Sequence, residues 1–491
     1  MENGNHSQFD LGTPVRTFSI STEIAKSKLV SFPRFLIEDS EGGRLGSIVA
    51  GNFNSVAGKG GKCLVFDAKY YQENYSATVR LKLESPLLIE IFSTQGDNLN
   101  FAKRLEDYLL LTLQFFEETV RKNTIYMTFI PGAEATSRLL PKRNIIERLF
   151  SGNMLNLILL FIVIGFILIF LLERILGMLT PIVLIILLLS IMLSAGKIMA
   201  LRSRWRLTRE HPEVAIIEYH LDSLNISTFL TRYSTLLPAI KRQIYELITH
   251  ERRRIGSSEI AKIFSSFGIP ASSEQIVVKM INVHEIINRA ADRFGMPMPT
   301  VAVTRNPMPN AAATGFSKHL ATMFITIGLL VQLDEKELEL VAGHELSHLR
   351  SGDPAILFSI FGAEYLARVY IFWPYIIGFG FLYIIFIFYM IFFLGKLLES
   401  RADLEAALIL RDPKTMATSL KKIGFRRLSL DSRFIEGRET SFGDWMAFDP
   451  HPPIGFRIRR LESLDPAKMP KHTFLRSVSD VFNGIKKAIR S

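Results

Sequence analysis

Two uncharged apolar runs set the frame of this chain. Residues 154–172, MLNLILLFIVIGFILIFLL, and residues 375–394, YIIGFGFLYIIFIFYMIFFL, are each long enough to cross a bilayer as a helix. Residues 179–201 form a further run, broken only by Lys197 near its end, and the short link from Glu173 to Met178 joins it to the first. This predicts a transmembrane hairpin over 150–202. Residues 355–372, AILFSIFGAEYLARVYIF, contain Glu364 and Arg368, which stand i, i+4 on a helix and can pair, lowering the cost of burying them. With Trp373 and Pro374 as an interfacial turn, this run and 375–394 predict a second hairpin over 355–395. Lys142, Arg143 and Arg148 precede the first hairpin, and Arg202, Arg204, Arg206 and Arg209 follow it. Its link holds only Arg174 as a cation, so the positive-inside rule puts both ends in the cytosol.

The soluble stretches carry other periods. Residues 1–29 are polar and read as a disordered N-terminus. From 30 to 140 short apolar runs (GSIVAG, KCLVFDAKYY, ATVRLKL, LLIEIFS) alternate with period two between glycine turns, predicting a β-rich soluble domain with one helix, AKRLEDYLLLTLQFFEETVRK. GKGG at 58–61 lacks the spacing of a phosphate loop and reads as a turn. Residues 205–275 show helical spacing and form a helical insert. Strand-like TVAVT and TMFITIGLL then lead into a helix, DEKELELVAGHELSHLRSGD, with Asp334 as its N-cap. This core runs over 276–354 and is completed by 396–462. In the tail, 463–491, Phe474, Val478, Val481, Phe482, Ile485 and Ile489 share one helical face, with Lys486, Lys487 and Arg490 adding charge. That pattern fits either an amphipathic helix on an anionic membrane or packing on the preceding domain.

Composition narrows the classes. Of 491 residues, 48% are hydrophobic and 37 are Phe, as a lipid-facing surface requires. The net charge of +11 lies largely beside apolar segments, which favours lipid headgroups over nucleic acid as the partner. The single cysteine, Cys63, excludes an internal disulfide and agrees with a reducing compartment. No apolar targeting segment opens the chain, so the residues ahead of the first hairpin are expected in the cytosol.

The chemistry concentrates in His344-Glu345-Leu346-Ser347-His348. On a helix His344 and His348 share a face one turn apart and can close on one Zn2+, while Glu345 reaches the water on that metal without ligating it. A catalytic zinc needs a third protein ligand and an open position. Glu399-Ser400-Arg401-Ala402-Asp403, the first helical segment after the second hairpin, offers Glu399 as that ligand. One turn on, Asp403 can accept the outer ring N–H of a ligand histidine. The flanking VAG and Leu346 make this helix half-buried, where two histidines and a glutamate need partners.

VAGHELSHLRSGD, an apolar excursion and ESRAD together resemble the HtpX family of membrane metallopeptidases, which belong with the CAAX prenyl proteases among the gluzincins. GMPMPTVAVTRNPMPNAAATGFSKHLATMFITIGLL and DPHPPIGFRIRRL at 449–461 fit the same family, and the resemblance covers roughly Met280 to Leu461 plus the first hairpin. It implies His344, His348 and Glu399 as zinc ligands and Glu345 as general base. It places Asn310, Ala311 and Ala312 near a substrate-binding edge strand, although the family has Phe where this chain has Ala312. His451 and Arg457 have two readings: donors to a developing oxyanion, or a turn cap and a structural ion pair.

The fold expected is therefore an α+β membrane protein. It has four transmembrane helices, a mostly helical zincin-type protease domain with a small β-sheet, and a β-rich N-terminal soluble domain. The function expected is zinc-dependent endopeptidase action with one Zn2+ per chain, Glu345 activating the zinc-bound water. Substrates would be polypeptides, misfolded membrane proteins by the family resemblance, with a regulatory partner possible at the N-terminal domain. The setting is the plasma membrane, multi-pass, with the active site and both termini cytosolic. A processing protease of the prenyl-protein type would need more membrane segments, and a metal-binding scaffold would tolerate loss of Glu345.

Overall fold

A computed structural model describes residues 13–42, 48–58, 61–70, 75–93, 99–133, 167, 170–202, 205–221, 226–250, 255–315, 321–465, 467–468 and 472–490. The chain divides into two compact units, Met1–Thr124 with Leu420–Thr440, and Ile125–Ser419 with Ser441–Ser491.

The first unit is built on an antiparallel sheet of five strands in the order β1-β5-β4-β3-β2. These are β1 (Arg16–Ile20), β2 (Ile48–Gly58), β3 (Gly61–Tyr70), β4 (Tyr75–Lys82) and β5 (Leu87–Ser93). Alternation sets the register: Val79 faces Ile91 and Leu81 faces Ile89, all four buried. The GKGG stretch connects β2 to β3, which pair as far as Gly58 and Gly61. β1 falls inside the stretch expected to be disordered. It pairs with β5 and buries Ile20, an alternation too short to register as a strand in the sequence. Residues 1–12 lie outside the described residues. Helices α1 (Lys26–Leu29), α2 (Phe32–Gly42) and α3 (Leu99–Lys122) complete the layer, with Phe32 and Phe116 rings 5.4 Å apart between α2 and α3. Leu420–Thr440 returns to this unit. Phe425 packs edge-on against Phe115 of α3, and buried Lys421 and Lys103 both hold Asp107.

The second unit carries two small sheets. Strands β6 (Thr124–Phe129), β8 (Val214–His220) and β9 (Ile276–Ile281) form one, in the order β6-β8-β9. Strand β7 (Arg206–Leu207), β10 (Thr300–Thr304), β11 (Ala311–Thr314) and β12 (Thr322–Thr326) form the other, ordered β11-β12-β10-β7, with β10 and β12 parallel. The insert is thus mixed rather than wholly helical: after α4 (Thr180–Arg202), β8 precedes α5 (Ile226–Tyr233), α6 (Leu237–His250) and α7 (Ser257–Ser266). The run VAIIEYH in β8 is buried at every position, so it shows no alternation to betray a strand. Helices α8 (Val283–Arg293), α9 (Ile327–Gln332), α10 (Glu335–Ser351), α11 (Asp353–Ala367) and α12 (Trp373–Ile409) follow. The chain closes with α13 (Pro413–Ile423), α14 (Phe425–Leu430), α15 (Ser432–Ile435), α16 (Phe442–Met446), α17 (Ile454–Glu462) and α18 (Thr473–Arg490).

Among the described residues three helical segments are long and apolar enough to cross a membrane: Phe170–Ile191, Asp353–Phe372 and Phe379–Ile409. Most of the expected span at 154–172 lies outside the described residues. The expected link from Glu173 to Met178 is not an open loop. Residues 170–176 are helical and pass through a 3₁₀ turn, Gly177–Leu179, into α4. In the later pair, α11 runs into a π turn, Arg368–Phe372, and the helical geometry breaks at Phe379. Glu364 forms an ion pair with Arg368, 3.1 Å from its Nε, as the i, i+4 spacing predicts, and accepts from Tyr383 OH across the hairpin (2.8 Å).

Candidate metal centre

Helix α10 begins with a reciprocal cap. Asp334 Oδ1 accepts from Glu337 N, and Glu337 Oε2 accepts from Asp334 N, both at 2.9 Å. The helix then packs on α12 and α8 at Gly343, where a Cβ would stand 2.7 Å from Leu410 Cδ1 and 3.3 Å from Phe294 Cε2. Glycine next to His344 therefore lets α10 and α12 approach closely enough for their side chains to share a centre.

His344 Nε2 and His348 Nε2 lie 3.2 Å apart. From α12, Glu399 sets Oε2 3.3 Å from His344 Nε2 and Oε1 3.3 Å from His348 Nε2. The two imidazole nitrogens and the Glu399 carboxylate, one oxygen turned to each histidine, converge closely enough for a single small cation: tetrahedral bonds of about 2.0–2.1 Å imply donor separations of about 3.3–3.4 Å. The donor set, two imidazoles and a carboxylate, is the one that zinc takes in catalytic sites. Two neutral imidazole nitrogens facing one another also need a proton or a cation between them.

Each histidine is held from behind. His344 Nδ1 lies 3.0 Å from Asp403 Oδ1, and Asp403 accepts a bidentate fork from Arg457 Nε and Nη2, both 2.7 Å. His348 Nδ1 lies 2.7 Å from Asp353 Oδ2, and Asp353 accepts a second fork from Arg401 Nη1 (2.9 Å) and Nη2 (2.7 Å). These forks hold the carboxylates aimed at the imidazoles. Burial opposes charge on His344, but hydrogen bonds and charges of Asp403 and Glu399 together carry its pKa up to about 10. His348 moves upward too, against its burial, through Asp353 and Glu399. A cation at this centre takes the place of those protons.

Glu345 is half-buried on the same helix and forms no hydrogen bond or ion pair among the described residues. His451 is turned toward the centre: Asp449 Oδ1 lies 2.8 Å from its Nδ1, and its Nε2 lies 3.6 Å from Glu399 Oε2, with the side chain 47% exposed. Arg457 Nη2 reaches within 3.7 Å of Glu399 Oε2, yet its fork is committed to Asp403. Asn310 is exposed just before β11, and its backbone N and O both bond Thr326 Oγ1 (2.8 and 2.9 Å). Ala311 and Ala312 lie in β11, the edge strand of its sheet, which packs beside α10. The sequence reading passed over Asp353 and Arg401. The signal for Asp353 was present, because a second ligand histidine also needs an acceptor for its outer nitrogen.

An HExxH helix whose histidines meet a glutamate from a later helix, beside apolar membrane-length helices, defines a membrane zinc metallopeptidase of the gluzincin kind. Comparison with known proteins agrees. The description "Peptidase family M48" matches residues 279–465. "Protease HtpX homolog" of Thermoanaerobacter pseudethanolicus is 32% identical over 260 residues, covering 47% of this chain and 84% of the relative. "Protease HtpX homolog" of Prosthecochloris aestuarii is 30% identical, covering 36% and 70%. "Protease HtpX homolog 2" of Methanosarcina mazei is 31% identical, covering 37% and 72%. The chain belongs to peptidase family M48, whose members are zinc metallopeptidases, and within it to the HtpX type. These matches span about a third to a half of the chain, and the family description starts at residue 279, beyond the N-terminal β-rich unit.

Proposed function

We propose that this chain is an endopeptidase in which His344, His348 and Glu399 hold one Zn2+ and Glu345 is the general base. The reading rests above all on the convergence of the two imidazole Nε2 atoms, 3.2 Å apart, on the Glu399 carboxylate, which sets one oxygen 3.3 Å from each. A zinc ion there would supply Lewis acidity to the scissile carbonyl and to a water. Substrate backbone adds to β11 in extended form, a mode that reads backbone more than side chain, with Asn310, Ala311 and Ala312 along its path. Glu345, one residue beyond the first ligand and free of competing partners, takes the proton of the attacking water and passes it to the leaving amine. His451, oriented by Asp449 and open to solvent, donates to the carbonyl oxygen as charge develops. Arg457 acts through Asp403, keeping His344 in register.

Backbone-directed binding beside membrane helices suits quality control of misfolded membrane proteins, worked from the cytosolic face of a multi-pass protein in the plasma membrane. The β-rich N-terminal unit, outside the family match, is the natural place for a regulatory partner. The deciding experiment is cleavage of a reporter membrane protein by purified chain, zinc-loaded and zinc-free, against Glu345→Gln. Loss of cleavage with zinc retained supports the assignment. Full cleavage by Glu345→Gln would refute it.

A further inference from the structure

The amphipathic tail helix packs along α12. Helix α18 stands antiparallel to α12. Thr473 Oγ1 donates to Glu405 (2.7 Å), Arg460 bridges Ser477 Oγ (2.9 Å) to Ser400 Oγ (2.7 Å), and the Phe482 ring lies 5.7 Å from that of Phe393. Each step along α18 thus moves back along α12. The last turn of α18, with Lys486, Ile489 and Arg490, extends past Phe393 into the level of the uncharged run 375–394. Ile489 is 65% exposed there.

A second group reaches the same level. Buried Lys396 of α12 donates to the carbonyls of Ala447 (2.9 Å) and Asp449 (2.5 Å). Pro450 closes on Gly395, where a Cβ would stand 2.8 Å from Pro450 Cβ. The turn is therefore pinned on both sides of Phe448. The Phe448 ring lies 4.6 Å from Tyr389 and 5.7 Å from Phe392, yet Phe448 stays 57% exposed. Phe386 and Phe388 continue this apolar surface along α12. Aromatic rings at the end of an apolar span, with Lys and Arg beside them, match the headgroup layer of a bilayer.

We propose that the Phe448 turn and the last turn of α18 form a collar immersed in the headgroup layer of the leaflet nearest the metal centre, with Lys486 and Arg490 against anionic lipid headgroups. This deepens the proposed function and rests on its reading of α12 as a membrane-crossing helix. Glu399 follows Phe392 by seven residues on α12, about 10 Å of helix. The collar therefore seats the centre close above the bilayer, and the substrates it favours are chain segments just leaving the membrane.

The test uses full-length protein with Cys63 replaced by Ala, carrying single cysteines at Phe386, Phe448, Leu475 or Ile489. Each is spin-labelled and reconstituted in phosphatidylcholine nanodiscs with or without phosphatidylglycerol. Labels at 448 and 489 are expected to be accessible to oxygen and shielded from a water-soluble nickel complex, with 386 deeper and 475 in water. Phosphatidylglycerol should deepen the label at 489, and Lys486→Ala with Arg490→Ala should abolish that response. Water exposure at 448 and 489 with 386 immersed overturns the collar while leaving the spanning helix and the metal assignment intact. Water exposure at 386 as well overturns the membrane reading with it. A label at 489 that ignores phosphatidylglycerol overturns the headgroup contact.

Discussion

Asp353 separates the two jobs that a buried carboxylate can do, and its removal should hurt both by calculable amounts. It holds His348 Nδ1 at 2.7 Å and takes a bidentate fork from Arg401, whose side chain is only 6% exposed. Asp353→Ala strands that guanidinium without its main counter-charge. Stranding one member of a buried pair costs about 3–5 kcal/mol of stability. Loss of the acceptor behind a ligand histidine costs about 10–100-fold in metal affinity, or about 1.4–2.7 kcal/mol. The two effects have different remedies. Asp353→Ala with Arg401→Met removes the stranded charge, so thermal stability should recover most of the way. Zinc affinity should stay down, because His348 still lacks its acceptor. Asp353→Asn keeps an oxygen for the imidazole and should lose the least affinity of the three. Chelator competition gives zinc affinity, and thermal unfolding of the zinc-free proteins gives stability. Zinc affinity in Asp353→Ala within about twofold of the parent, below the tenfold floor expected for a removed acceptor, would refute the positioning role.

Other outcomes follow from the same geometry. Glu399→Ala should lose zinc at a concentration where the parent is saturated, since two imidazoles alone fall short of the three protein ligands such a site needs; full zinc and activity would mean another third ligand. Asp107 is buried, which raises its pKa, but Lys421 and Lys103 outweigh burial and hold it below its ordinary 3.8. Its folded pKa is thus depressed, so its stabilisation is complete above the unfolded value and is lost as pH falls below 3.8. Lys421→Met should cost about 3–5 kcal/mol at neutral pH and flatten that acid limb, read from melting temperature against pH. Ile371, 62% exposed in the π turn between the two later spans, tests topology. Ile371→Cys in a Cys63→Ala background should react with an impermeant reagent only from the side opposite the metal centre. Reaction from the same side would make 355–394 a re-entrant hairpin.

Periodicity carried far where one face of an element meets solvent or lipid and the other meets the core. The alternating strands β3, β4 and β5 are of this kind, with Val79, Leu81, Ile89 and Ile91 inward, and so is the uncharged run through Phe386 and Phe388. It gave nothing where both faces are buried: β8 is buried at every position, shows no alternation and reads as well for a buried helix. It also failed where an element is too short, as in β1, which owes its order to pairing with β5 rather than to its own pattern. The return of Leu420–Thr440 to the N-terminal unit was invisible for a further reason. It depends on Lys421 meeting Asp107, residues far apart in sequence, and no local period records such a pairing.

The candidate site shows the same limit at closer range. His344, His348 and the pair Glu399 and Asp403 are each separated by one helical turn, so their chemistry is written in local spacing. Arg401 stands between Glu399 and Asp403 and by spacing alone faces another side of α12. Its partner, Asp353, lies just past the end of α10 and comes under His348 only because the chain turns there. The two forks nonetheless share their parts, one arginine, one carboxylate and one imidazole on each side of the centre, although Arg457 binds through Nε and Nη2 and Arg401 through Nη1 and Nη2. Aiming both imidazoles by the same arrangement fixes the angle between their Nε2 lone pairs before any metal arrives. Less ordering is then left to be done at binding, which is what a centre needs if it is to hold its cation with only three protein ligands and keep a fourth position open for chemistry.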